Sequence, residues 1–202
     1  MEPIRELIAV DLEMTGLQVK TDRILEIGAV RLVDGQLRDT FQTFVNPHRR
    51  IDARITELTG IRSEMVEDAP EAEEALRKFL EFAGEAPFLG HNVIFDYSFL
   101  KQCAVNHKIS LERSALDTLK IARKVLKEPE KKSLKALCGY FQIDREHAHR
   151  AVDDAKATAE LFLMLQQKYQ QQEPGLFVPK PLHYKVKKQG PLTPAQKRDL
   201  NH

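Results

Sequence analysis

The chain has 202 residues, of which 42% are hydrophobic and 30% charged, and its 31 basic and 30 acidic side chains leave a formal net charge of +1. That is enough for one compact domain with a real core and a short extension. No apolar run approaches the roughly 20 residues needed to cross a bilayer, and Met1-Glu2-Pro3 lacks the basic and apolar regions of a secretory signal, so a soluble cytoplasmic protein with no membrane partner is expected. Two cysteines, Cys103 and Cys138, are too few for a disulfide framework or a zinc cluster and read as small core residues.

The near-neutral total hides a division. Residues 1–170 carry 25 basic and 28 acidic side chains, whereas residues 171–202 carry 6 and 2 together with five of the ten prolines. A folded domain over 1–170 and a basic, Pro-rich tail over 171–202 are expected, with the boundary near Gln171.

Taken in chain order, Leu7-Ile8-Ala9-Val10 is a short apolar run flanked by charge, which predicts a buried strand ending in Asp11-Leu12-Glu13. After Thr15-Gly16, Ile24 to Val33 and Leu37 to Val45 are joined by the turn dipeptide Asp34-Gly35, which predicts a hairpin. From Pro70 the period becomes helical, with Ala72, Ala75, Leu76, Phe79 and Ala83 on one face. Pro87 to Gly90 reads as a strand before a helix from Asn92, and Ala115-Leu116 as a strand before a helix from Thr118 that Asp117 caps. Ser133 caps another helix, and Ala151 to Gln167 forms the last. Five strands, three consecutive and two alternating with helices, imply an α/β domain with a mixed five-stranded sheet flanked by helices.

The acids carry the chemistry. Asp11 and Glu13, two apart on a strand, point to one face directly after a buried run, so keeping both ionised requires a cation or several donors. On the last helix, Asp154 shares a stripe with Thr158, Leu161 and Leu165, whereas Asp153 lines up with Lys156 and Glu160. Asp154 therefore faces inward and needs a partner. Asp96, in the first turn of the helix after His91-Asn92, suits either a helix end or the same site. Four oxygen-donor acids without cysteine fit two hard divalent cations, Mg²⁺ or Mn²⁺, in the arrangement that cleaves phosphodiesters. His149, five residues before Asp154, supplies an imidazole suited to a general base.

With these residues in view, Asp11 to Leu17, His91 to Asp96 and His149 to Asp154 resemble the three motifs of the DEDDh 3′→5′ exonucleases, most closely the proofreading epsilon subunit of bacterial DNA polymerase III and the exonuclease domain of the Gram-positive replicative polymerase. The likeness covers about residues 5–167 and includes Val45-Asn46-Pro47, Leu58-Thr59-Gly60-Ile61 and Asp117-Thr118. It implies a ribonuclease H-like three-layer fold and two-metal hydrolysis of DNA from single-stranded or frayed 3′ ends, in proofreading or repair. By motif position, Asp11, Glu13, Asp96 and Asp154 would hold the metals and His149 would take the proton from water. Met14, Thr15, Gly16, Leu17, Leu58, His91, Asn92 and Phe95 match positions around the terminal nucleotide, where Leu17 and Phe95 would wedge against bases.

Met14 departs from the threonine common in proofreading relatives and is similar to the first motif of oligoribonucleases, whereas His91 to Asp96 departs from the oligoribonuclease pattern. DNA is therefore favoured as substrate, with RNA the alternative and a binding-only, polymerase-associated module a third reading. In the tail, Lys180, Lys185, Lys187 and Lys188 with Phe177 and Tyr184 suit a solvated linker or a surface that docks on a polymerase subunit or a phosphate backbone. Thr193-Pro194 reads as the start of a helix cut short at His202, as in a piece of a longer protein.

Overall fold

The structure, a computed structural model, describes residues 5–145 and 150–186. In chain order its elements are β1 (Glu6–Met14), β2 (Ile24–Val33), β3 (Gln36–Phe44), α1 (Ala53–Thr59), α2 (Ser63–Val66), α3 (Ala72–Ala83), β4 (Phe88–Gly90) and α4 (Val93–Asn106). There follow β5 (Ser114–Asp117), α5 (Thr118–Val125), α6 (Leu134–Phe141), α7 (Ala151–Tyr169), a 3-10 turn (Pro174–Phe177) and β6 (Lys180–Pro181). The strands lie in the order β3-β2-β1-β4-β5-β6. β1 pairs antiparallel with β2 and parallel with β4, and β5 continues the parallel half.

Alternation along β1 divides the core. Ile8, Val10 and Leu12 pack with Leu76 and Phe79 of α3 and Tyr97 and Leu100 of α4. Leu7 and Ala9 face the other way, toward Ile121 of α5, Leu137 of α6 and Leu161, Phe162 and Leu165 of α7. Period-2 side-chain placement thus puts helices on both faces and produces the expected three layers.

The sheet has six strands rather than the expected five. Two residues, Lys180 and Pro181, pair antiparallel with Ala115 and Ser114. A two-residue strand containing proline carries no alternation to read, and what fixes it is burial on either side: Phe177 packs on Phe162, and Leu182 joins the α3–α4 core. The expected boundary at Gln171 falls just past the end of α7, and the chain from 174 to 182 lies on the domain instead of forming a solvated linker. Lys187, Lys188 and Thr193-Pro194 lie outside the described residues. The longest helix, α7, has a polar outer face and a buried stripe, and no described helix is long and apolar enough to cross a membrane.

Candidate active site

The C-terminal half of β1 carries Asp11 and Glu13 on one face of the pleat, opposite Gly28 and Glu26 of β2. Above them lies the N-terminus of α7. A Cβ placed on Gly28 would fall 2.1 Å from the Val152 nitrogen, so only a residue without a side chain lets helix backbone rest on the strand there. Glu26, fully buried, fixes the approach. Its carboxylate accepts from the Arg150 guanidinium, with Nη2 at 3.0 Å, and from the Ala151 amide at 3.3 Å, while the Arg150 guanidinium also lies over Phe44. An anion at the first amides of a helix is favoured by its dipole.

This anchoring delivers Asp154 to β1. One carboxylate oxygen each from Asp11, Glu13 and Asp154 lies within 4.8 Å of the other two. Asp154 is buried, whereas Asp153 turns outward to Lys156 at 3.2 Å, as the helical stripe requires. Asp96 arrives from α4. Asn92, in the left-handed conformation at φ 71°, donates its amide to Asp117, which also caps α5 through the Leu119 amide. The helix so started places buried Asp96 where its Oδ1 accepts from the Leu12 amide at 3.2 Å, between Asp11 and Glu13 in sequence. A strand and two helix N-termini thus converge at one end of the sheet.

Crowded acids respond electrostatically. Burial, with Asp96, Glu13 and Asp154 close by, holds the Asp11 carboxyl well above its usual range. Burial chiefly, then Asp154, Glu26 and Asp96, raises Glu13 to about 8. Burial raises Asp96 to about 7 against its own backbone hydrogen bonds. Arg145 donates to this cluster, through Nε to Asp154 at 2.9 Å and again through Nη2, and the Arg150 guanidinium acts on Glu13 from beside Glu26. Positive charge is what the site lacks. Hard oxygen donors, mutual repulsion and a cation already drawn in fit divalent ions held by Asp11, Glu13, Asp96 and Asp154. Bound there, two such ions would activate water and stabilise the departing oxygen.

The remaining expected residues fall into two groups. Thr15 and Gly16 form a turn closed by Asp22, whose carboxylate takes the Gln18 amide at 2.8 Å and faces the Thr15 hydroxyl. Leu17 and Leu58 are the two most exposed large apolar side chains among the described residues, at 77% and 55%, and await a cover. Phe95 is half-buried beside Phe99. Met14, by contrast, packs against the α3–α4 core. The His91 ring is tied at both nitrogens, Nδ1 to the Thr118 hydroxyl at 2.9 Å and Nε2 to the Lys132 carbonyl at 2.8 Å, so its ring pins two loops. His149 lies outside the described residues. Sequence reasoning did not single out Arg145, Arg150 or Glu26; for Glu26 the signal was an acid inside the otherwise apolar Ile24–Val30 run.

The RNase_T exonuclease family model matches residues 8–162. The chain is 45% identical over 166 residues to the PolC-type DNA polymerase III of Caldanaerobacter subterraneus subsp. tengcongensis, covering 82% of this chain and 12% of that protein. To the PolC-type DNA polymerase III of Bacillus subtilis it is 37% identical over 161 residues, covering 78% and 11%. It therefore spans about an eighth of the length of these curated relatives. Exonuclease X, solved with 5′-overhanging duplex DNA, superposes with a TM-score of 0.66 at 26% identity over 81% of this chain and 92% of its own. The nuclease domain of 3′hExo, a DEDDh family member bound to rAMP, shares the fold with a TM-score of 0.72 at 20% identity, over 82% and 94%. Converging acids on a ribonuclease H-like sheet, a family match over most of the domain and relatives at up to 45% identity together lead to one assignment: the chain belongs to the RNase_T exonuclease family.

Proposed function

We propose that the chain is a 3′→5′ exonuclease that removes nucleotides from single-stranded or frayed 3′ ends of DNA, in proofreading or repair alongside a DNA polymerase III. The observation that carries this reading is the approach of Asp11, Glu13 and Asp154 to within 4.8 Å, with Asp96 hydrogen-bonded to the strand between them. Asp11, Glu13, Asp96 and Asp154 hold two divalent cations, Mg²⁺ or Mn²⁺. His149 accepts the proton of the attacking water. The Thr15-Gly16 turn holds the 3′ end, with Leu17, Leu58 and Phe95 against the terminal bases, as the exposure of Leu17 and Leu58 supports. His91 and Asn92 act indirectly, by setting the start of α4 and hence Asp96.

DNA is favoured because the relatives at 45% and 37% identity are DNA polymerases and Exonuclease X was solved on DNA. RNA is the second reading, on the ground of Met14 in the first motif. The folded unit takes in the segment 174–182 beyond the expected boundary at 170, and the basic tail that follows serves as the contact to a polymerase. Matched deoxy- and ribo-oligonucleotides digested side by side with Mg²⁺ and Mn²⁺ test the assignment. Stepwise release of deoxynucleoside monophosphates, abolished by chelator, is expected. Release from the ribo-oligonucleotide alone would transfer the substrate to RNA, and binding without release of nucleotides would leave a non-catalytic module.

A further inference from the structure

We propose that the outer face of α5 and the segment leading to α6 form a cationic ridge that holds the sugar-phosphate backbone of the nucleic acid beyond its terminal nucleotide. The inference rests on the exonuclease reading for its substrate, but on separate residues. Between Thr118 and Lys135 the chain carries seven basic and two acidic side chains, in a domain that is otherwise slightly acidic. Thr118, Ile121 and Ala122 are buried, which turns Lys120, Arg123 and Lys124 outward at helical spacing; Lys127, Lys131 and Lys135 are exposed in continuation.

Apart from Lys132, whose Nζ donates to the Lys127 carbonyl at 3.1 Å and to the Pro129 carbonyl, these charges are not used to hold the fold together. Among the described residues, Lys120 alone of the seven is in an ion pair, with Asp117 at 3.7 Å. Lys135 stands in the first turn of α6, where the helix dipole disfavours a cation, so helix stability does not account for it. Such a surface costs self-repulsion unless a polyanion covers it.

The ridge is also tied to the acidic site. Asp117, at the start of α5, accepts from the amide of Asn92, which opens the helix bearing Asp96. The loop returns to the same place, because the Lys132 carbonyl accepts from the His91 ring. β1, β4 and β5 are parallel, so α5 begins at the sheet edge where the acids converge and leads away from it. A strand whose end lies among the acids has a positive track adjoining it.

The test replaces Arg123→Gln, Lys124→Gln, Lys127→Gln and Lys131→Gln together, with the pairs R123Q/K124Q and K127Q/K131Q as milder versions and R77Q/K78Q on α3 as a control. Binding of a fluorescent single-stranded oligonucleotide of roughly 30 nucleotides is followed by anisotropy, with chelator present, over a range of salt. The fourfold variant is expected to lose at least about tenfold in affinity at low salt, and its log K against log salt slope to shrink by about 0.7 for each phosphate that the variant no longer neutralises. Each pair should show an intermediate loss, and the control should match wild type. Wild-type affinity and slope in the fourfold variant, on the single strand and on a duplex with a recessed 3′ end alike, would overturn the ridge.

A duplex with a recessed 3′ end, run in parallel, distinguishes the sources of phosphate. Loss on the single strand identifies the cleaved strand as the occupant, and loss on the duplex alone identifies its complement. Hydrolysis of the p-nitrophenyl ester of thymidine 5′-monophosphate with Mn²⁺ keeps the two readings apart. Failure of the wild type on this small substrate would sink the exonuclease assignment, while the anisotropy result would still decide the ridge.

Discussion

Gly28 and Ala151 touch through backbone: a Cβ on Gly28 would sit 2.1 Å from the Ala151 carbonyl carbon. Because α7 carries Asp154 one turn further on, the distance between strand and helix sets the distance between Asp154 and the β1 acids. Gly28→Ala is expected to push the helix outward and destabilise the fold by at least the roughly 1–3 kcal/mol typical of overpacking. Urea denaturation measures the first effect, and weakened Mn²⁺ affinity in the fraction that remains folded measures the second.

Neighbouring aspartates on α7 should behave differently. Asp154→Asn removes a buried member of the acid cluster and is expected to lower kcat/KM more than about a hundredfold, beyond what a residue merely supporting a metal ligand costs. Asp153→Asn, which loses an outward pair with Lys156, should stay within about threefold of wild type, since exposed pairs contribute at most about 1 kcal/mol. Equal losses in steady-state assays of the two variants would contradict the division of roles.

The acid cluster makes stability depend on pH with an unusual sign. Glu13 is raised from an ordinary 4.5 to about 8 and Asp96 from 3.8 to about 7, so the metal-free fold keeps protons that the unfolded chain releases. The contribution is fully present below the unfolded values, near pH 4, and is lost as pH rises through about 7 and about 8. Arg145 beside Asp154 offsets part of the repulsion that then appears. Without metal, Tm should fall between about pH 5 and pH 8. Added Mg²⁺ or Mn²⁺ should raise Tm most at the upper end, where protons no longer compete. A metal-induced shift that is larger at the acid end would refute this account.

Glu26→Gln tests the anchor of α7. The amide keeps a hydrogen-bonding oxygen but leaves the Arg150 guanidinium without its anion, and a cost of about 1–3 kcal/mol is expected, because Arg150 retains some access to water. Metal affinity should weaken alongside stability. Glu26→Asp, which retains the charge but shortens the reach, should recover part of both in calorimetric titration.

Phe177 reports on the segment after α7. Fully buried against Phe162, it is expected to cost about 3–5 kcal/mol when changed to alanine, as large core deletions do. Thermal unfolding of Phe177→Ala would show this, and an unchanged Tm would mean that the 174–182 segment is dispensable.

What could be read in advance was what periodicity encodes. Alternation placed Asp11 and Glu13 on one face of a strand, and the 3.6-residue period separated Asp154 from Asp153; the structure has both arrangements. Ser133 and Asp117 were recognisable as caps because a capping side chain acts on the amides just after it. The hidden features depend on chain segments far apart. Glu26 meets Arg150 across 124 positions, and Asp117 reaches back 25 to the Asn92 amide while capping its own helix. Arg145 carries no motif, and its meaning comes from the carboxylate beneath it. The helices α1 and α2, of seven and four residues, are too short for a periodic signal and rest on a small cluster of Leu25, Ile51, Ile61 and Val66.

The two-residue strand β6 has a consequence for how the molecule meets its own kind. An outermost strand ordinarily offers a row of amide hydrogens to any neighbour, and that row is where unwanted cross-molecular pairing begins. Among the described residues the outermost strand on this side is Lys180 and Pro181, one with a long charged side chain and the other with no amide hydrogen to offer. Along that stretch the parallel side of the sheet is a poor template for stacking into fibres.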